Sequence, residues 1–244
     1  MKKAADIFKK TFFLICCFFF CLSCGLEEVT VVDELTVTYN DPLYSDSDYT
    51  NYYCEFLTNE KNQLDSFIGT EIYYKIYNNS SALVSERNSI KSVNTSSYGS
   101  AAAERMINND YQVMGANPKN SGAVFIPTAG NNRKVYFRPA DNGDGDNLKA
   151  DIRISGTSTG QIPYRYNDKS FDFFDNDNSD PSDTIDVEPV NGDDDYRYSS
   201  SASSSTEYYV QFFAVGVAWN SNSSTRSYSL LLDLGSIPIK KTKD

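Results

Sequence analysis

Several stretches of the chain alternate apolar and polar residues with a period of two, the mark of half-buried strands. In 71–77, Ile72, Tyr74 and Ile76 share one face while Lys75 lies on the other. In 207–218, Tyr208, Val210, Phe212 and Ala214 face one way, and Tyr209, Phe213, Val215 and Val217 the other. Both faces are apolar, so this segment should be a central strand covered on each side. In 227–234, Tyr228, Leu230, Leu232 and Leu234 alternate with Ser227, Ser229 and Asp233.

Shorter strands are expected at 29–38, 50–57, 122–127, 133–138, 149–155 and 170–174. Turn-forming clusters separate them, at Asn131-Asn132, at 141–145 and at 220–223. One stretch reads as helix: Ser100 as N-cap followed by good helix formers through Ile107, a short connector that does not build the fold. Segments 40–51 and 172–206 are poor in apolar residues and rich in Asp, Asn and Ser, and read as exposed loops. Frequent short strands with turn signals between them predict an all-β protein, an antiparallel β-sandwich with one short helix.

Two segments carry a resemblance. Residues 69–76 (Gly-Thr-Glu-Ile-Tyr-Tyr-Lys-Ile) look like the third strand of a fibronectin type III or Ig-like domain. Tyr208-x-Val210-x-Phe212-x-Ala214 looks like its sixth, with 225–234 closing the sheet and Ile237-Pro238 near the end. The resemblance implies such a core with a long insertion around 88–206. It carries no function with it.

The N-terminus changes the picture from fold to address. Lys2, Lys3, Lys9 and Lys10 precede eleven apolar residues, Phe12 to Leu22, and then Ser23-Cys24. That run suits a secretory signal and is short of the ~20 residues that span a bilayer. Cys21-Leu22-Ser23-Cys24 resembles the relaxed lipobox of spirochaete-type bacterial lipoproteins; Cys21 departs from the usual leucine at the first position. The resemblance implies a signal peptide of residues 1–23 and lipidation (palmitate and related chains) of Cys24. Residues 24–244 would then form a body held on the cell membrane or outer membrane, on its periplasmic or surface side. An ordinary cleaved secretory signal is the alternative.

Charge and composition narrow the chemistry. The 244-residue chain has 22 basic and 33 acidic side chains; losing residues 1–23 leaves 18 and 32, a formal net charge of −14. Such a body repels nucleic acid. Histidine is absent, so a Ser-His-Asp triad, a Cys-His pair and a His-ligated zinc site are excluded within the chain. After Cys24 the remaining cysteine is Cys54, in a strand-like run, and it reads as a buried structural thiol.

The candidate sites follow from what is left. Asp141, Asp144 and Asp146, interleaved with Asn142, Gly143 and Gly145, and Asp151 beyond, could offer oxygen ligands to calcium; a solvated turn is the plainer reading, and the EF-hand pattern is not met. The acidic run from Asp172 to Asp186 reads as solvated surface. Tyr73, Tyr77 and Trp219 are candidate ligand-facing aromatics, with core packing as the alternative. No catalytic constellation stands out. The expectation is a lipid-anchored, non-catalytic binding or adhesion module for a glycan or protein, without a cofactor beyond the candidate calcium. A carboxylate-dependent envelope glycosidase and a structural or antigenic surface lipoprotein are the alternatives.

Overall fold

The computed structural model describes residues 32, 34–37, 53–62, 65–95, 100–116, 124–139, 150–171, 173, 188–221 and 224–240. The chain divides into two units, Met1–Thr30 and Val31–Asp244, and all of these residues belong to the second. In chain order the early strands are β1 (Thr36–Val37), β2 (Cys54–Leu57), β3 (Phe67–Tyr77), β4 (Gln112–Val113), β5 (Gly115–Ala116), β6 (Ile126–Pro127) and β7 (Lys134–Arg138). The later ones are β8 (Asp151–Ile154), β9 (Thr157–Ser158), β10 (Pro163–Tyr164), β11 (Tyr196–Arg197), β12 (Glu207–Asn220), β13 (Thr225–Tyr228) and β14 (Leu232–Lys240). Two α-helices, α1 (Ser80–Lys91) and α2 (Ala101–Asn108), lie between β3 and β4.

β12 is the central strand that its alternation predicts. It pairs antiparallel with β3 on one flank, and with β13 and β14 on the other. The register sets Val210 opposite Ile76, Phe212 opposite Tyr74 and Ala214 opposite Ile72. This face is packed by a second sheet, in the order β1-β2-β7-β8-β9, whose Cys54, Phe56, Val135, Phe137 and Ile152 point inward. Phe212 meets Phe137 edge-on at 5.4 Å and Phe171 at 5.9 Å. Cys54 is buried here, as a structural thiol, with its Sγ donating to the Leu234 carbonyl at 3.7 Å.

The opposite face carries Tyr73, Phe213, Val215 and Val217, which pack on Ile90 of α1 and on Ala102, Ala103 and Met106 of α2. The domain is therefore mixed α/β, dominated by an antiparallel sheet that curls into a half-barrel. This corrects the all-β expectation: two helices close one face of the main sheet, and β11 runs parallel to β3. The fibronectin-like segments do lie side by side in antiparallel register, but the helix layer sets the fold apart from a clean Ig or fibronectin sandwich.

Three departures have local causes. α1 escapes sequence reading because its inward stripe is Leu83, Glu86 and Ile90, a charge where periodicity needs an apolar residue. Asn79 starts the helix, its side chain accepting from Ala82 N at 3.1 Å. The strand expected at 227–234 splits into β13 and β14 at Ser229, which is buried and takes Gly216 N onto its hydroxyl at 2.9 Å. The stretch 188–206, read as loop, contains β11 and the buried Asp195.

Gly69 fixes how β6 joins the main sheet. Its φ is +146°, and a Cβ there would stand 2.2 Å from the Ile126 carbonyl oxygen, so only glycine allows the close pairing.

Candidate ligand cleft

Alternation along β3 sends Lys75 and Tyr77 to the helix-facing side, where Glu86 of α1 meets them. Lys75 and Glu86 are each 6% exposed and form an ion pair at 3.0 Å. Tyr77 donates to the same Glu86 oxygen at 2.8 Å, and its hydroxyl lies 3.0 Å from that of Tyr111. Arg197 of β11 reaches the other Glu86 oxygen, and Lys75 also donates to the Asn109 carbonyl. Two cations and a hydroxyl thus hold one buried carboxylate, the condition under which a buried charge is tolerated. Burial pushes the Tyr77 hydroxyl far above its ordinary value, with Tyr111 and Glu86 adding to the effect. It remains a proton donor at any physiological pH.

Above this network lies an open cleft of about 550 Å³, within the size range of small-ligand sites. Its walls include Lys75, Asp110, Gln112, Asp194, Tyr196 and Arg197. Asp110, held at φ +59°, and Asp194 are exposed, and neither carboxylate forms an ion pair with a described residue. Gln112 bridges them through long contacts to their backbone carbonyls, 3.4 and 3.5 Å. Burial pushes the Tyr196 hydroxyl up to about 12, with the neighbouring Tyr198 and Glu188 contributing. Tyr198, one residue past β11, is 40% exposed.

The wall at 193–197 is held from behind. Arg165, wholly buried, grips Asp195 with two bonds of 2.9 and 3.0 Å, and Tyr74 donates to the same carboxylate at 2.8 Å. Asp193 accepts from Lys169 at 3.0 Å and from Val190 N at 3.1 Å. Burial alone would raise the Asp193 carboxyl, but these bonds and the nearby cations outweigh it and hold it below its usual range. Fork-shaped, charge-assisted pairs of this kind fix orientation as well as energy. The acidic triplet is therefore split by role: Asp195 and Asp193 brace the wall, and Asp194 faces the cleft.

The structure distributes the sequence-predicted residues widely. Tyr73 and Tyr77 are buried at 4% and 0% beneath the helices, Tyr73 donating to Glu71 at 3.0 Å, so both take the core role. Trp219 is 42% exposed, at the far end of β12 from the cleft. Asp151 is engaged by Arg153 at 2.6 Å and Ser158 at 2.7 Å. Asp141, Asp144, Asp146 and Cys24 lie outside the described residues, as does almost all of the acidic run 172–186. Among the described residues no group of three or more Asp, Glu, Cys or His side chains could hold a metal ion. No helix among them is long and apolar enough to cross a membrane. No known protein family, curated protein or solved structure matches the chain.

Lys75, Glu86 and Arg197 were not singled out by sequence. The available signal was Lys75 itself, a charge between Tyr74 and Ile76 in a strand-like run, since such a charge needs a buried partner. Nothing in the sequence says that the partner would come from residue 86.

Proposed function

We propose that this chain is an envelope lipoprotein, acylated at Cys24, whose body binds a hydroxyl-rich glycan in the cleft above Glu86. The observation that carries the reading is the character of that cleft: an open volume of about 550 Å³ walled by Asp, Asn, Gln and Arg residues. Planar polar groups of these types exchange paired hydrogen bonds with vicinal hydroxyls. The bracing behind 193–197 supports it further, because a pre-formed wall lowers the ordering cost of binding. Glu86 is committed to Lys75, Tyr77 and Arg197, which suits a floor better than a reacting group.

Glycan-array screening and calorimetry on the full-length chain in detergent test this. Saccharide binding should weaken at least tenfold in Asp194→Ala and in Gln112→Ala, with the melting temperature of each unchanged. Absence of binding to every glycan, or variants that bind like the wild type, would overturn the reading. Hydrolysis of a bound glycan would replace it with the carboxylate enzyme. The anchor is tested separately: mass spectrometry of the native protein should find diacylglycerol and an N-acyl chain on Cys24, and a Cys24→Ser protein should lose them.

A further inference from the structure

We infer that the Trp219 end of the main sheet rests in the bilayer interface, so that the cleft at the opposite end is held away from the membrane. The inference depends on the lipid anchor proposed above and on three observations. The first is where the body begins. Val32 is buried and clusters with Phe67 and Ala218, at the start of β3 and near the end of β12. Its Cγ1 also lies against Gly216. The chain therefore enters the body at the β12–β13 end.

The second is length. Eight Cα-to-Cα steps separate Cys24 from Val32, which at full extension reach at most about 28 Å. β3 runs ten steps from Phe67, beside Val32, to Tyr77, beneath the cleft, or about 33 Å at strand rise. A tether of that length cannot let the body stand on its cleft end. It lets the Val32 end meet the lipid.

The third is what that end displays. Trp219 is the single tryptophan of the chain and is 42% exposed, one residue beyond Ala218 of the Val32 cluster. An indole has an apolar body and one N–H donor, and this combination favours the headgroup level of a bilayer. The sequence that follows, 220–225, reads Asn-Ser-Asn-Ser-Ser-Thr and carries no charge, in a chain of formal net charge −11. Arg226, opposite Trp219 across the hairpin, is paired with Glu71 at 2.6 Å. Glu34 and Asp65 are exposed acids of this region, so the attraction is interfacial rather than electrostatic and calls for zwitterionic lipid. The cleft end exposes acids as well, Asp110 and Asp194, so the indole and not the charge distinguishes the two ends.

Because Trp219 is the single tryptophan, indole emission reports on this end alone. The native acylated protein would be placed in phosphatidylcholine vesicles, with plain or brominated acyl chains, and floated on a gradient. Emission of the floated protein should fall at least twofold in the brominated vesicles. A Trp219→Phe/Tyr198→Trp protein, which moves the indole to the cleft end, should float equally and show no quenching. Floating protein whose Trp219 is not quenched, or equal quenching of both indoles, would overturn the orientation and leave the anchor standing. Failure of the native protein to float, or floating of a Cys24→Ser protein to the same extent, would remove the anchor and the orientation together.

Discussion

The two faces of the main sheet are built on different physics, although the same two strands supply both. Toward the second sheet, β3 and β12 present Ile72, Tyr74, Ile76, Val210, Phe212 and Ala214, all fully buried. Toward the helices they present Glu71, Lys75 and Gln211 among the apolar residues, and these too are buried. One face gains most of its stability from area removed from water, with a directional tie where Tyr74 donates to the buried Asp195–Arg165 pair. The other contains charges that are tolerable only in one arrangement, because each needs its own partner at hydrogen-bond distance. The apolar face holds the fold together, and the polar face fixes where α1 and the turn at 108–112 sit, hence the shape of the cleft.

The sharpest way to break the apolar face is Phe212→Ala. Phe212 is fully buried and contacts both Phe137 and Phe171. Truncation should cost about 4 kcal/mol through lost transfer energy and a residual cavity. Chemical denaturation would read this as a large drop in midpoint with little change in slope. A cost under about 1 kcal/mol would show that the sheets repack freely and that this face does not hold the fold together.

The polar face should behave differently under double substitution. Glu86→Leu alone strands Lys75 without a carboxylate and should cost about 3 kcal/mol. Adding Lys75→Met removes the orphaned charge, and most of that loss should return, because apolar replacement of a buried pair is often neutral. Arg197, half exposed in its side chain, can turn to solvent in both proteins. Additive losses from the two substitutions would mean that the pair is not coupled. Recovery of stability without recovery of glycan binding would separate the two contributions of this face.

How much of this was legible in sequence follows the same division. The apolar face of β3 and both faces of β12 were readable because alternation is a local signal with a fixed period. The short helix at Ser100 was readable from its formers, although its Ser100 hydroxyl accepts from Tyr228 N at 3.2 Å and leaves the helix uncapped by a side chain. α1 was hidden because Glu86 occupies the middle of its buried stripe. β11 was hidden for a related reason. Its strand is two residues long, and what anchors it is Asp195, gripped by Arg165 from thirty residues earlier. Buried charges look like surface in a sequence, so a polar core reads as loop. The cleft, framed by such residues, was the least legible part of the molecule.

The smallest expected effect concerns acid. Asp233 joins β14 to the helix layer, accepting from Arg87 at 2.6 Å, Lys91 at 2.8 Å and Gln211 at 2.9 Å. Burial would raise its carboxyl, but the bonds from Arg87 and Lys91 outweigh burial and hold it below the usual range. A group whose folded value is depressed binds its proton more readily when the chain is unfolded. Its contribution is therefore complete above the unfolded value of about 3.9 and fades as pH falls through the lower folded value. Asp233→Asn keeps the shape but removes the charge and turns one acceptor oxygen into a donor, as in the protonated acid, so it should melt below the wild type at pH 7. The two curves should converge as pH falls below about 4, the value at which free aspartate titrates. Glu60 is lowered in the same direction by the Ala129 amide and Arg133, but it is common to both proteins and cancels in the difference. A gap that stays constant down to pH 2 would mean that Asp233 acts through shape alone, and that the charged tie between α1 and β14 adds nothing to the helix-facing side.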